Sequence, residues 1–192
     1  GTLTKGEPTV TAIDPAGGRD KEDVLALAAA AEADSEHPLA RAITGAAQAR
    51  GVAVPQAIDF SSSPAVGVKA TVGGEVIEVG GPYLLEQHSA EELPIADEWR
   101  KEGAIILHVL ADGEVIGALR LADEIRPESR DAVDALHSLG AQVVMITGDA
   151  QAVAGTVAKD LGIDRVFAGV RPEHKAAKAR DRKGEGTRAA MA

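Results

Sequence analysis

The chain of 192 residues contains no cysteine. Disulfide bridges, thiolate zinc sites and a cysteine nucleophile are therefore excluded. Aromatic residues make up only 2% (Phe60, Phe167, Tyr83 and Trp99), so the core must be built from Ala, Val, Leu and Ile, and any ligand site has few rings to stack on. No apolar run approaches the roughly 18 residues needed to cross a bilayer, and no signal-peptide pattern stands at the start. Positive charge is scarce. The formal net charge of −10 argues against nucleic-acid binding, because phosphate backbones demand clusters of Lys and Arg. One stretch departs from this. From Arg165 to Arg188 there are eight Lys and Arg against three Asp and Glu, a solvated helix face or an attraction for a phosphorylated ligand. Five histidines (37, 88, 108, 137, 174) show no ligand-spaced pair, so no metal site is expected.

What is present is 45% hydrophobic, in the globular range and long enough for one large domain or two small ones. Thr9 to Ile13 reads as a strand, followed by a turn at Asp14-Pro15-Ala16-Gly17-Gly18. Asp20 is a helix N-cap, with Glu22 and Asp23 complementing the dipole of a helix that runs to about Ala33. Pro38 opens a second helix that stops at Gly51. Residues 58–62, 67–72 and 75–80 read as strands, the last two joined by Gly73-Gly74. Residues 104–110 and 115–121 form a second hairpin around Asp112-Gly113. Tyr83 to Gln87 and Glu91 to Glu102 read as helices.

The texture changes after Leu121. Helices at 127–139, 151–161 and 172–183 alternate with short strands at 142–146, 165–168 and 187–191, and 142–146 is apolar enough for burial on both faces. That alternation argues for a parallel α/β sheet.

Several residues could carry chemistry. Thr147-Gly148-Asp149 ends an apolar strand, placing a hydroxyl and a free backbone N–H where open α/β folds bind ligands; the same tripeptide could merely turn the chain and cap the next helix. Lys175, on a helix begun by Pro172, could reach the same strand edge. There Thr and Lys can hold a phosphoryl group, although a lone Lys also suits a surface. Asp123 and Arg126-Pro127 lie where the textures meet, as a mutual pair or a hinge. His37 precedes Pro38 with Glu32 one helix back; its ring could stack on a purine or simply cap the helix. Glycines at Val66-Gly67-Val68 and Gly80-Gly81-Pro82 mark a bulge, a hairpin end or close ligand approach.

Taken together, Gly1-Thr2-Leu3-Thr4, Ser35-Glu36-His37-Pro38, Asp123-x-x-Arg126-Pro127, Thr147-Gly148-Asp149 and Pro172-x-x-Lys175 resemble the cytoplasmic ATP-handling unit of heavy-metal P-type ATPases over essentially the whole chain. The resemblance implies a haloacid-dehalogenase-like parallel α/β lobe (residues 1–7 and 120–192, the phosphorylation domain). It carries an inserted α+β nucleotide-binding domain (residues 8–119). It implies ATP and Mg²⁺ as cofactors. Adenine is expected near Glu32, His37 and Pro38, and ribose and phosphates near Gly67, Val68, Gly80 and Gly81. Thr147, Gly148, Lys175 and Thr2 are expected at the phosphoryl group. Asp123, Arg126, Pro127 and Asp149 are expected in hinge and structural roles.

Two positions depart from the family pattern: Ala65 stands where it has glycine, and Gly81 where it has asparagine. The family's nucleophilic Asp, which precedes Gly-Thr-Leu-Thr, and its Mg²⁺-binding Asp motif are absent from the sequence. A polypeptide of these residues is therefore expected to be soluble and to bind nucleotide without phosphorylating itself. The expected partners are ATP and the transmembrane and actuator domains of a parent pump, at the cytoplasmic face of a membrane, with no nucleic acid and no direct membrane contact. The competing expectations are a haloacid-dehalogenase-type phosphatase with residues 8–119 as cap, and a non-catalytic nucleotide-binding module.

Overall fold

The computed structural model describes residues 2–147 and 151–170. They divide into two compact units, one of residues 6–100 and 104–124, the other of the described residues within 1–5, 101–103 and 125–192.

The first unit is a six-stranded sheet in the order β1-β6-β5-β4-β3-β2, formed by β1 (Thr4–Pro15), β2 (Ala57–Ser63), β3 (Gly67–Val72), β4 (Glu75–Gly80), β5 (Ile105–Ala111) and β6 (Glu114–Ile125). The ladders from β2 through β6 are antiparallel. β1 and β6 run to 12 residues each, well beyond the short strands read from the sequence. The extension of β1 includes Pro8, which lacks a ladder donor and is tolerated because β1 lies at an edge of the sheet.

α1 (Lys21–Ala31) is the centre of the core. Asp20 caps it, its carboxylate accepting from the Asp23 N–H at 2.8 Å. Val24, Leu25 and the run Leu27–Ala31 are all buried. A helix apolar on every side has to be enclosed. It lies against β3 and β4 on one side and α2 (Pro38–Ala49) on another. The alanines permit close approach, as does Gly117, where an added Cβ would lie 2.7 Å from Val24 Cγ1. Burying Val24 and Leu25 contributes about 1.5–3 kcal/mol each.

The opposite face of the sheet carries a smaller cluster. Leu84 and Leu85 of α3 (Pro82–His88) pack on Leu110. α4 (Ile95–Lys101) is shorter than the helix expected over residues 91–102. Pro94 is the reason, since it drives the preceding Leu93 out of the helical region. The segment released by this shortening leaves Glu92 free to contact Arg100 at 2.5 Å and His108 at 3.2 Å.

The second unit contains α5 (Pro127–Ser138), α6 (Gln151–Leu161), and the parallel pair β7 (Val144–Ile146) and β8 (Arg165–Phe167). β7 is half-buried along its length, where the sequence suggested burial on both faces. Asp164 ties the unit together. Its Oδ2 accepts from the Val143 N–H at 2.7 Å and lies 2.9 Å from His137 Nε2 at the end of α5. The Val143 N–H, then His137, hold the Asp164 carboxyl below the ordinary aspartate range. Gly103 takes φ +77°, and an added Cβ there would lie 2.6 Å from the Val153 nitrogen. The helix expected at 172–183 and the strand expected at 187–191 lie outside the described residues.

Candidate functional site

Glu32 follows the last turn of α1 as its C-cap, its N–H returned to Ala28 and Ala30 carbonyls. Its side chain is 6% exposed, and Oε2 has no hydrogen-bond partner. Burial pushes this carboxyl above the ordinary glutamate range, opposed by a hydrogen bond from Ser35. A buried carboxylate oxygen without a donor costs free energy that folding alone does not explain.

The turn that follows is fixed by its own backbone. The Ser35 N–H donates to Glu32 O at 3.0 Å, and Arg41 reaches back to Glu36 O at 2.7 Å. His37 is the N-cap of α2, in extended backbone, and its Nδ1 accepts from the Leu39 N–H at 3.2 Å. The capping role open in the sequence is therefore realised. It also has a chemical consequence. In the neutral ring with Nδ1 accepting, the proton sits on Nε2. Because His37 is exposed, that N–H and the ring face are open to solvent. Pro38 supplies the first helical residue, where no N–H is needed.

The glycines form a second group. Gly67 and Gly80 are direct partners in the β3–β4 ladder. A Cβ at Gly67 would lie 2.1 Å from Val79 O, and one at Gly80 would lie 2.0 Å from Val66 O. Both glycines are therefore demanded by the chain's own backbone, where the sequence left open a bulge, a hairpin end or close ligand approach. Gly81 differs: it caps α3 without a side-chain bond, and an added Cβ meets nothing within 4 Å. Ala65, where glycine was the expected residue, has φ +65°. Val68 places its side chain in the main core beside α1, so only its backbone is available to a ligand. The two groups share one body, since the helix that carries Glu32 packs on the strands that carry the glycines.

In the second unit Thr147 follows β7. Its N–H donates to Phe167 O and its carbonyl accepts from the Val170 N–H, both at 2.9 Å. Thr2 is exposed. Arg126 donates through its N–H to Leu3 O at 3.0 Å and through Nε to Thr4 O at 3.1 Å, and Pro127 begins α5. Asp123 Oδ1 accepts from the Gly6 N–H at 2.9 Å. Gly148, Asp149, Pro172 and Lys175 lie outside the described residues.

The sequence reading missed three groups: the Ser35 bond to Glu32, the Glu78–His88 contact at 2.7 Å, and the Glu92–Arg100–His108 set. The first had a local signal in Ser35, three residues on. The others join residues whose proximity depends on sheet register. Among the described residues no three His, Asp or Glu side chains converge on a point that could hold a metal ion. No described helix is long and apolar enough to cross a membrane.

A family model described as haloacid dehalogenase-like hydrolase matches residues 1–192. The copper-exporting P-type ATPase of Bacillus subtilis (strain 168) is 39% identical over 194 residues, covering all of this chain and 24% of that protein. The silver exporting P-type ATPase of Salmonella typhimurium is 36% identical over 195 residues, again all of this chain and 24% of the relative. The fold superposes on a zinc-transporting PIB-type ATPase with a TM-score of 0.84 at 31% identity, over 96% of this chain and 30% of the pump. The chain thus spans about a quarter of the length of these curated relatives. By the match along its full length the chain belongs to the haloacid dehalogenase-like hydrolases, and the relatives it matches are P-type ATPases that export copper or silver or transport zinc.

Proposed function

We propose that this chain is the ATP-binding portion of a heavy-metal cation-transporting P-type ATPase. The unit of residues 6–100 and 104–124 is its nucleotide-binding domain, and the other unit is part of its phosphorylation domain. The observation that carries the reading is Glu32, buried with one carboxylate oxygen unpaired, at the head of a turn that leaves the His37 ring exposed. Adenine answers both features. Its 6-amino group donates to the Glu32 oxygen, and its face stacks on the imidazole. Guanine would present a 6-keto oxygen to the same carboxylate and be repelled. The bare backbone at Gly81, where an added Cβ would meet nothing within 4 Å, leaves space for ribose and phosphates beside the buried Gly80. Thr147 and Lys175, with Thr2, would hold the transferring phosphoryl by hydrogen bonds and charge.

Among the described residues no three metal-ligating side chains converge, and no residue is assigned to Mg²⁺. The partners would be the membrane-spanning and actuator parts of the same pump, with this portion at the cytoplasmic face. The transported ion would be set outside this chain.

The test is calorimetric titration with ATP in the absence of Mg²⁺. Saturable binding, competed by AMP and poor for GTP, is expected. Glu32→Ala and His37→Ala should each weaken it by about tenfold, the loss of one charge-assisted hydrogen bond or one stacking contact. Binding indifferent to both substitutions would overturn the assignment.

A further inference from the structure

Glu78 lies two residues before Gly80 in β4 and is buried, only 6% exposed. Its Oε2 is 2.7 Å from Nε2 of His88, the last residue of α3. The approach has ion-pair distance but lies off the line of an aligned hydrogen bond at the imidazole. Between the two stand Val79, Gly80, Gly81 and the rest of α3. The contact therefore closes a short loop that holds the end of β4, the glycine pair and one helix.

That helix has little else to hold it. Seven residues are too few for independent helicity. Its apolar seat is Leu84 and Leu85 on Leu110, edged by Val66, Ala90 and Val115. Yet its position fixes the glycine backbone. A Cβ on Gly80 would lie 3.2 Å from Leu84 Cβ on one side and 2.0 Å from Val66 O on the other. Gly80 is thus pinned between α3 and the strand entry of β3. Pro82 joins Gly81 to the helix with its φ fixed by the ring, so movement of α3 carries directly to Gly81. The β5–β6 turn closes over the far end, where a Cβ on Gly113 would lie 3.0 Å from His88 Nδ1.

We infer that Glu78 and His88 are positioning residues for the nucleotide site. They anchor the C-terminal end of α3 and thereby set the Gly80-Gly81 backbone where ribose or phosphate meets it. The inference rests on the reading of Gly80-Gly81 as part of that site. Neither side chain touches the nucleotide.

The experiment compares the wild-type chain with His88→Ala, His88→Gln, Glu78→Gln and the His88→Ala/Glu78→Gln double variant. Each is held at a temperature where circular dichroism shows it fully folded. ATP affinity is read by calorimetry and the Gly80 and Gly81 amides by ¹⁵N–¹H spectra. His88→Ala is expected to weaken ATP by about fivefold, the worth of one such contact. It should displace the Gly80 and Gly81 amide signals while leaving that of Gly18 in place. His88→Gln, which keeps a donor near Glu78, should recover part of the affinity. The double variant should bind no more weakly than His88→Ala alone. A lowered melting temperature with unchanged affinity and unmoved glycine amides would reduce the pair to a stability element and overturn the inference. So would additive losses in the double variant. Failure of the wild-type chain to bind ATP would be a different result, sinking the nucleotide reading and this inference with it.

Discussion

Gly67 and Gly80 face each other across the β3–β4 ladder, and neither position has room for a Cβ. The obstacle in each case is a carbonyl oxygen of the opposing chain, Val79 O for Gly67 and Val66 O for Gly80. Backbone cannot swing aside as a long side chain can. Gly67→Ala is therefore expected to destabilise the protein by more than about 3 kcal/mol or to prevent folding, because β3 must separate from β4. Gly81→Ala, with nothing within 4 Å, should stay within about 0.5 kcal/mol of the wild type. Urea denaturation separates the two cases. A tolerated Gly67→Ala would mean that the strands do not approach this closely.

Ala65 holds a left-handed backbone, φ +65°, just before this pair. A side chain there costs about 1–2 kcal/mol relative to glycine, partly offset by the extra freedom glycine has when unfolded. Ala65→Gly should thus stabilise the fold by about 0.5–1 kcal/mol, raising the melting temperature by about 2 °C. A fall in melting temperature would show that the turn can relax away from this conformation.

Much of this architecture is legible in local signals, and the exceptions have a common cause. Asp20 marks the start of α1 and Pro38 the start of α2, because caps and N1 prolines act through neighbouring backbone groups. The β3–β4 hairpin follows from Gly73-Gly74, both at positive φ. β1 is underestimated because half of its length exists only through its partner β6, which no local pattern reveals. The start of α4 is misplaced although Pro94 carried the signal. At the candidate site, His37 stands out through the Ser35–Pro38 motif, and Glu32 through its match to the upstream glutamate of the family it resembles. The burial of the Glu32 carboxylate, the mutual demand of Gly67 and Gly80, and the core placement of Val68 require the sheet register. Glu78 and His88 look like two ordinary surface charges until α3 folds back on β4.

Glu32 should trade stability for binding. Burial raises its carboxyl above 4.5, so the folded protein holds the proton more tightly than the unfolded chain does. The favourable contribution is complete below 4.5 and is lost as pH rises through the folded value. Above the folded value the ionised group is a net cost. Glu32→Gln should then raise the unfolding free energy more at pH 7 than at pH 4. Urea titrations of both proteins at the two pH values give the difference directly. A variant less stable at pH 7 than the wild type would show that the carboxylate is satisfied in the free protein.

His108 gives the opposite pH signature. It is fully buried in β5, with Nε2 at 3.2 Å from Glu92 Oε1 but no aligned hydrogen bond. Burial lowers its ionisation below 6.5; the Glu92 charge opposes that and the Arg100 charge adds to it. Above pH 6.5 the ring is neutral in both states and contributes no pH dependence. Below it the unfolded chain takes up a proton that the folded chain resists, so stability falls as pH drops toward the folded value, by up to about 1.4 kcal/mol per pH unit. His108→Val removes this loss while leaving Glu92 paired to Arg100 at 2.5 Å. The melting temperature of the variant should therefore decline less than that of the wild type between pH 7 and pH 5. The remaining histidines are common to both proteins and cancel in the comparison. Parallel declines would mean that the buried imidazole accepts its proton as readily as a free one, with Glu92 outweighing burial.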